Sequence, residues 1–437
     1  MQVFSTPLDL ADAISSWLKS PRTDDLLVQT PRYVPVIRSR APNPDVPHSA
    51  LVSLCQTLYM ASVATEEGQF VRIELVYIDP DQQVKDNASW QVFAFPEPLP
   101  FTLPNLIKLA PASDPRNSSV AVFHDSQARV FLWGLIDQRD PAYKVLRREV
   151  SSRSHEACGI FEASIEGPAN IFVHCGHELI GELNVGSLRQ AANYIDIFRS
   201  GPVLDICETG ISSIAERLSA QVCETGKDRV NDNCKDEIFS ATRYGYISAL
   251  CTILLRLQGF RHGGALVIRK PQDDHLKIRY PLNYNRLTKT LELSALQQAQ
   301  HLWQTADPQA NGSSNLLRPE EVMDSAIWFV AVLSRVDGLV IMDHELQVEG
   351  FGAIIRCQTV PPRNSIFRSF HADVREDALE LLEYDHLGTR HQSMMRYCFE
   401  HQETVGFVVS EDGDARAMST IDGRLIVWEN IKLLNVC

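Results

Sequence analysis

The segment Leu387–His391, LGTRH, places polar and basic groups at the predicted start of a helix. Helix N-termini carry partial positive charge and favour carboxylates, so Arg390 and His391 need a negative partner there. Gly388 allows close backbone approach, Thr389 is a natural N-cap, and the first N–H groups would point the same way as the two cations. This combination predicts a phosphate site. The alternative is a plain capped helix with Arg and His on its surface.

A second candidate group is the carboxylate of Asp337, which precedes the apolar stretch LVIM. A carboxylate at the mouth of a strand can hold a divalent metal or accept a proton from a hydroxyl. The pair Asp337-Gly338 could equally form only a turn, which is the commoner role of Asp-Gly. Taken by itself, this pair favours the turn.

Three further stretches could contribute to the same chemistry. The two glycines of HGGALVI, residues 262–268, would let a flat base or ribose pack against the backbone before a strand. The same logic holds for GFGA, residues 350–353, while Ser410 and Glu411 would end a strand with a hydroxyl and a carboxylate. The plainer alternatives are tight connections for the glycines and a polar hairpin turn for VSEDG.

Helices and strands must alternate to position these residues. Helical periodicity predicts helices at 49–68, 187–198, 210–223, 236–258, 293–305 and 318–336. The last of these is apolar all round and is expected to be buried. β-rich alternation predicts strands at 70–79, 119–125 and 129–137, then several antiparallel strands within 159–188. Later strands are expected at 264–268, 338–343 and 346–355, and the Asp422-Gly423 pair predicts a hairpin near the end.

These patterns predict an α/β (α+β) fold class with two domains. We expect a smaller α+β domain at 1–190, a helical linker at 191–234, and a C-terminal domain at 235–437 with a mixed sheet flanked by helices. A polar, charged run, ETGKDRVNDNCKDE, precedes the second domain.

The composition excludes some classes of function. Lys and Arg total 41 against 55 acidic residues, a formal charge of −14, which argues against a protein that coats nucleic acid. Ten cysteines without a C-x-x-C pair argue against a structural zinc of the knuckle type. The N-terminal stretch lacks the features of a signal peptide, and the apolar stretches are too short or interrupted to span a bilayer. We therefore expect a cytoplasmic protein with free thiols and no membrane insertion.

Taken in order, HGGALVI, DGLVIMD, GFGA, LGTRH and VVSEDG resemble the motifs of the diadenylate cyclase catalytic domain. That family has a GAL strand, an Asp-Gly-Ala and a Gly-Thr-Arg-His-Arg followed by a strand ending in Ser-Glu. The resemblance covers about 235–437. The preceding region looks like the sensor domains that precede this catalytic domain in some bacteria, through SLCQTLYMASVATEEGQFVRIEL and GPANIFVHCGHELIGEL.

The resemblance implies a nucleotidyltransferase. Two ATP molecules would become the second messenger cyclic di-AMP and two pyrophosphates, with Mn²⁺ or Mg²⁺ as the metal. The catalytic domain would act as a homodimer or higher homo-oligomer, because each site holds one ATP and two must face each other.

Individual roles follow from the resemblance, position by position. Asp337, Arg390 and His391 would be catalytic, and Asp337 and His391 would ligate the metal. A larger set of residues would bind the nucleotide. It comprises the glycine-rich entries of strands, the phosphate-binding run and the Ser-Glu end of a strand: Gly264, Ala265, Leu266, Gly338, Leu339, Gly352, Gly388, Thr389, Gln392, Ser410 and Glu411.

Two residues depart from the family pattern. Gln392 replaces the second Arg, which removes a charge and a bidentate fork, although Arg396 one turn later could compensate in part. Leu339 replaces the Ala and could narrow the pocket beside Asp337. The departures motivate a second hypothesis, a catalytically weak or inactive ATP-binding regulatory protein. A third is an enzyme that joins other nucleotides into a dinucleotide.

Overall fold

A computed structural model of the chain describes residues 4–19, 46–80, 90–113, 118–138, 160–175, 178–190, 193–224, 232–260, 262–270, 275–304, 319–411 and 414–433. The chain forms two compact units, 1–193 and 194–436. Each unit is described by itself.

The first unit combines helices with an eight-stranded sheet in the order β10-β9-β8-β7-β3-β5-β6-β4. Its helices are α1 (Pro7–Lys19), α2 (His48–Ser62) and α3 (Leu103–Leu109). Its strands are β1 (Thr65–Glu66), β2 (Gln69–Phe70), β3 (Ile73–Tyr77), β4 (Trp90–Pro100), β5 (Ser118–His124), β6 (Val130–Gln138), β7 (Phe161–Gly167), β8 (Asn170–Cys175), β9 (Glu178–Asn184) and β10 (Ser187–Arg189).

The core of this unit lies between the sheet and two helices. Strand β3 is buried along its whole length and pairs parallel with β5 and antiparallel with β7. Helix α2 packs on β6, β7 and β8, while α1 packs on β9. The expected strands at 70–79, 119–125, 129–137 and within 159–188 are thereby confirmed.

Two expected helices in this part of the chain differ from the structure. Helix α2 ends at Ser62, six residues before the predicted end at Gly68, because β1 and β2 form a small hairpin there. The helix predicted at 187–198 is wrong, because Ser187–Arg189 form β10 and pair with β9 across the Val185-Gly186 turn. Strand pairing at the sheet edge overrides a weak helical periodicity.

The second unit contains a ten-stranded mixed sheet in the order β12-β15-β14-β11-β18-β19-β20-β16-β17, with β13 paired to β15. Its helices are α4 (Pro202–Glu224), α5 (Asp232–Phe260), α6 (Arg286–Gln304), α7 (Pro319–Leu333) and α8 (Thr389–Glu400). Its strands are β11 (Gly264–Ile268), β12 (Leu276–Lys277), β13 (Tyr280–Tyr284), β14 (Leu339–Met342), β15 (Val348–Ile355), β16 (Ile366–Ser369), β17 (Leu379–Leu381), β18 (Val405–Val409), β19 (Ala415–Ile421) and β20 (Arg424–Trp428).

Helices cover the central strands of this sheet on both faces. Helix α8 packs on β15, β18, β19 and β20, and its apolar side chains share a core with Ala265 and Leu339. Successive strand residues point to opposite faces. A Cβ on Gly264 would lie 2.9 Å from Leu257 of α5 and 3.3 Å from Ser334 after α7, so these helices cover the other face. This arrangement confirms the mixed α/β fold class.

Helix α4 occupies much of the segment expected to be a linker. It packs along α5 and also contacts α6, so it belongs to the second unit. Within the part of the chain that the structure describes, one segment, Lys235–Phe260 of α5, is long and apolar enough to cross a membrane by length and composition. Of its apolar 18-residue window, 61% is buried. Helix α5 contacts α4, α6 and α7, as a core helix of a folded domain would.

The expectation that α7 is buried all round is wrong. Trp328 and Phe329 remain 48% and 41% exposed, while Ala326 and Val330 are buried. The Arg256 guanidinium lies 4.7 Å from the Trp328 ring, and Tyr284 stacks on Phe329 at 4.5 Å. Aromatic and cation–π partners therefore cover part of an apolar face that periodicity alone assigns to a core.

Candidate functional site

The first turn of α8 has no acidic residue and no side-chain cap. Gly388 is the N-cap, with φ −62° and ψ 161°, so Thr389 is the first helical residue and not the expected N-cap. The Gln392 side chain is turned back, and its Nε2 donates to the Leu387 carbonyl at 2.9 Å. Among the described residues this turn therefore has no side-chain cap, and helix N-termini of this kind can bind anions.

Arg390 brings this turn to the start of β11. A Cβ built on Gly263 would lie 2.5 Å from Arg390 Nη1, 3.2 Å from the Val409 carbonyl oxygen and 3.5 Å from the Glu411 nitrogen. The guanidinium is therefore packed against bare backbone where β11 begins and β18 ends. Three of the sequence motifs, HGGALVI, LGTRH and VVSEDG, meet at this point.

Asp337 and Gly338 lie at the same end of the sheet. Strand β14 runs parallel to β11, with Leu266 opposite Val340, so the residues that enter the two strands are neighbours. A Cβ on Gly338, where φ is +114°, would lie 2.5 Å from the Gly352 carbonyl carbon. The Asp337 side chain is exposed, so the turn presents a carboxylate to solvent beside GFGA.

The shared edge combines complementary charges. It is built from the entries of β11 and β14, the end of β18 and the first turn of α8. Asp337 and Glu411 are exposed carboxylates there, and Arg390 is a half-buried cation. Such an edge can hold a divalent cation through carboxylate oxygens and an anion through the guanidinium and backbone N–H groups.

Several predicted nucleotide-binding residues lie in the core. Ala265, Leu266 and Leu339 are 2%, 0% and 4% exposed, and Leu339 packs on the α8 side of the sheet. These side chains shape the strands that carry the site, and Leu339 does not narrow an open pocket. Gly264 is also buried and pairs with Val409 at the start of β11.

Ser410 and Glu411 have different surroundings. The Ser410 N–H donates to the Asp414 carbonyl at 2.9 Å, and Ser410 Oγ accepts from the Asp414 N–H at 3.1 Å. The hydroxyl therefore closes the turn between β18 and β19. Glu411 is exposed, with its backbone nitrogen near Gly263.

His391 points inward, away from the exposed edge. It is 7% exposed, and its Nε2 accepts a hydrogen bond from Arg416 Nη1 at 3.0 Å. Burial, together with the positive charges of Arg416 and Arg390, lowers the pKa of His391 from 6.5 to about 4. The imidazole is therefore neutral at pH 7 and carries its proton on Nδ1. The resemblance implies that His391 ligates the metal, and ligation through Nε2 would require Arg416 to move.

An ion-pair network, which the sequence motifs do not reveal, holds the arginine that is hydrogen-bonded to His391. Arg416 Nε donates to Glu429 Oε1 at 2.9 Å, and Arg368 Nε lies 2.6 Å from Glu429 Oε2. Strands β16, β19 and β20 carry these residues side by side. The signal in the sequence is a charged residue, Arg416, inside the otherwise uncharged stretch ARAMSTI. The network fixes the first turn of α8 by holding the buried imidazole.

The lowered pKa of His391 predicts a pH effect on stability. The unfolded state binds a proton near pH 6.5 and the folded state only near pH 4, so folding stability falls as pH decreases through this window. We expect His391→Gln, which keeps an acceptor for Arg416 without titrating, to lose less stability between about pH 7.5 and pH 5. The expected difference is on the order of 1 kcal/mol in urea unfolding. Equal pH dependence in both proteins would contradict the buried neutral imidazole.

The close approach of Gly338 to Gly352 predicts a large effect of a single methyl group. We expect Gly338→Ala to destabilise the protein by about 2–4 kcal/mol, because the left-handed backbone and the contacts at 2.5–2.8 Å both oppose a Cβ. The matched control is Gly259→Ala in α5, where a Cβ meets nothing within 4 Å. That control should be neutral or stabilising by up to about 1 kcal/mol. Similar unfolding midpoints for both variants would contradict this packing.

Comparison with known proteins adds one family match. Residues 39–137 match the family model described as "Probable sensor domain DACNV". The match agrees with the resemblance of the N-terminal region to a sensor domain, within residues 39–137. No curated protein matches the chain.

Two solved structures are similar in part. One is a hypothetical membrane spanning protein from Bacillus cereus, 15% identical over 51% of this chain and 91% of that chain, with a TM-score of 0.22. The other is DacA from Staphylococcus aureus in a double-cysteine variant, 15% identical over 43% of this chain and 87% of that chain, with a TM-score of 0.21. Both TM-scores are below 0.5, so neither likeness bears on the function.

Proposed function

We propose that residues 235–437 form a diadenylate cyclase domain that condenses two ATP molecules into cyclic di-AMP and two pyrophosphates. The observation that carries the proposal is the position of Arg390, whose guanidinium lies against Gly263 where β11 begins and β18 ends. Asp337 enters the neighbouring strand at the same edge. The motifs that resemble the cyclase family are far apart in the sequence, yet four of the five meet there.

In this proposal the triphosphate of ATP is the missing negative partner of the α8 first turn. Arg390 and the uncapped N–H groups would bind phosphate oxygens, and Gly388, where a Cβ would meet nothing within 4 Å, leaves room for them. Thr389 is exposed in the same turn and could donate through its hydroxyl. Phosphoryl transfer depends mainly on in-line positioning and on neutralising charge, and this turn supplies both.

Asp337 would act at the reacting oxygen. The ribose 3′-oxygen of one ATP attacks the α-phosphorus of the other, a P–O bond forms, and the bond to pyrophosphate breaks. The hydroxyl proton would pass to the Asp337 carboxylate. A second, equivalent transfer closes the ring.

The donor set at this edge suits Mn²⁺ or Mg²⁺. The exposed carboxylates of Asp337 and Glu411 supply the oxygen ligands that these ions prefer. When bound, the ion would neutralise phosphate charge in the transition state. His391 would orient Arg390 and the helix start through its bond to Arg416, instead of holding the ion.

Two chains must cooperate in this reaction. Each catalytic domain would bind one ATP, so the two sites have to face each other across a homodimer or a higher homo-oligomer. The N-terminal sensor domain would control the association of the two catalytic domains. The reaction would take place in the cytoplasm, where ATP is available.

The direct test is incubation of the purified full-length protein with ATP and Mn²⁺, followed by chromatography of the products. We expect cyclic di-AMP and pyrophosphate in a ratio of one to two. Absence of cyclic di-AMP with both Mn²⁺ and Mg²⁺, at several protein concentrations, would overturn the proposal.

A second candidate function is nucleotide binding without turnover. The Gln392 amide, which stands where the family has Arg, donates to the Leu387 carbonyl and adds no charge to the phosphate site. Calorimetry that shows ATP binding without product formation would select this function. A gain of activity in Gln392→Arg would then identify the lost guanidinium as the limiting feature.

A further inference from the structure

Three side chains with metal-binding atoms converge at the far end of α8. His275, Cys357 and His401 bring one ring nitrogen or sulfur each to within 4.8 Å of one another. The closest pair is His275 Nδ1 and His401 Nε2, which are 3.1 Å apart. Cys357 is buried, while the two histidines are half-buried.

Secondary structure holds each of these residues in place. His275 precedes β12, and its carbonyl accepts from the Arg356 N–H at 2.7 Å, beside the paired residues Leu276 and Ile355. Cys357 follows β15 and belongs to the core under α8. His401 ends α8 as its C-cap, with its N–H bonded to the Tyr397 carbonyl and its ring 4.6 Å from the Tyr397 ring.

The spacing of the two ring nitrogens is close to that around a tetrahedral ion. Two imidazole nitrogens bound to zinc at 2.0–2.1 Å are about 3.4 Å apart when the bond angle is tetrahedral. The observed 3.1 Å between His275 and His401 is close to this value, and the Cys357 sulfur lies within the same 4.8 Å. A bound ion would take the place of the hydrogen bond that joins the two rings.

A carboxylate lies behind one of the imidazoles. Glu400 Oε1 is 3.7 Å from His275 Nε2, the ring nitrogen that faces away from His401. A carboxylate on that side favours a proton on Nε2, so that Nδ1 is the acceptor of the two ring nitrogens. Histidines that bind metals commonly have such a partner.

We propose that His275, Cys357 and His401 form a binding site for a divalent transition metal, with Zn²⁺ as the best match. Two imidazoles and one thiolate are the donors that zinc prefers, whereas Mn²⁺ and Mg²⁺ prefer oxygen. A water or another ligand would complete four coordination. The site joins the entry of β12, the end of β15 and the end of α8.

This site is separate from the one proposed for catalysis. The twelve residues of α8 place His401 roughly 17 Å along the helix axis from the first turn that carries Arg390. The sequence contains no metal-knuckle spacing, and the cluster arises only through tertiary structure. A bound ion would hold the C-terminal end of α8 against the sheet edge.

The test uses full-length protein that has been stripped with a chelator and then titrated with Co²⁺, which reports geometry through its spectrum. With excess Mg²⁺ present to fill the carboxylate site proposed above, we expect one cobalt per chain, intense visible bands of tetrahedral cobalt, and a near-ultraviolet thiolate-to-cobalt charge-transfer band. Zn²⁺ should displace the cobalt and raise the unfolding temperature, because metal binding stabilises only the folded site.

Three variants sharpen the test. Cys357→Ser should remove the charge-transfer band, and His401→Gln should weaken Co²⁺ binding by about 10- to 100-fold or more. His371→Gln serves as the control, because that exposed side chain lies outside the cluster, and it should bind as the wild type does. Absence of the charge-transfer band in wild type would overturn the proposal. So would wild-type affinity in His401→Gln, even if Cys357→Ser fails to fold.

Discussion

Asp337→Asn should reduce cyclic di-AMP synthesis by about 10³-fold or more, because it removes the proposed metal ligand and the proposed proton acceptor. The Asp carboxylate and the Asn amide are nearly the same size, and the side chain at 337 is exposed. The unfolding free energy should therefore change by less than about 0.5 kcal/mol. The measurement is initial product formation at saturating ATP and Mn²⁺, with circular dichroism to verify the fold.

The matched control for this variant is Asp385→Asn. Asp385 is also exposed in the second unit, where it pairs with Arg363 at 2.8 Å on the surface. Losing that pair costs at most about 1 kcal/mol and should leave the activity unchanged. If Asp337→Asn and Asp385→Asn retained the same activity, Asp337 would have no part in the reaction.

Arg390→Ala should lower kcat/KM for ATP by about 10²–10³-fold, because the guanidinium is the principal side-chain cation at the proposed phosphate site. Arg390→Lys should recover part of this loss, because lysine keeps the charge without the planar fork that grips two phosphate oxygens. Lysine also cannot reproduce the contact of Nη1 with the Gly263 backbone. The kinetics of both variants should be measured over a range of ATP concentrations.

Arg363→Ala is the control for the arginine variants. It removes a surface guanidinium whose partner is Asp385, outside the proposed site, and should retain wild-type kinetics. A different ranking, with Arg390→Ala as active as Arg363→Ala, would show that the phosphate lies elsewhere. If Arg390→Ala and Arg363→Ala both lost activity to the same extent while Arg390→Lys did not, the cause would be the general loss of positive charge.

Local chemistry made parts of the fold predictable from the sequence. The Asp422-Gly423 pair predicts the β19–β20 hairpin, and both residues adopt the positive φ values, 50° and 77°, that a two-residue turn of this kind needs. The short apolar run at 339–342 is a fully buried strand, as its β-rich composition indicates. A turn pair and a short apolar run can be recognised in the sequence without knowing which distant residues they contact in the fold.

Other elements depended on partners that a single sequence does not reveal. The residues at 187–189 form a strand because β9 offers an unpaired edge, although their periodicity fits a helix. Trp328 and Phe329 look like core residues in an apolar helix but lie at the surface of the unit against Arg256 and Tyr284. Tertiary contacts determine whether such residues form a strand and whether such side chains are buried.

The main residues of the candidate site were predictable from the sequence, whereas the residues that hold them in place were not. The ends of strands and the start of a helix are visible as Gly-rich and charged motifs, and the structure brings Gly263, Arg390 and Glu411 together. The bond between His391 and Arg416, and the cluster of His275, Cys357 and His401, join residues that are far apart in the sequence. The spacing of residues along the sequence does not predict either of these contacts.

The most direct measurement is a crystal structure of the full-length chain with a nonhydrolysable ATP analogue and Mg²⁺. We expect phosphate oxygens within hydrogen-bond distance of Arg390 and of the first N–H groups of α8, with a divalent ion on the Asp337 carboxylate. An analogue bound at another surface, with Arg390 and Asp337 contacting neither phosphate nor ion, would contradict this expectation.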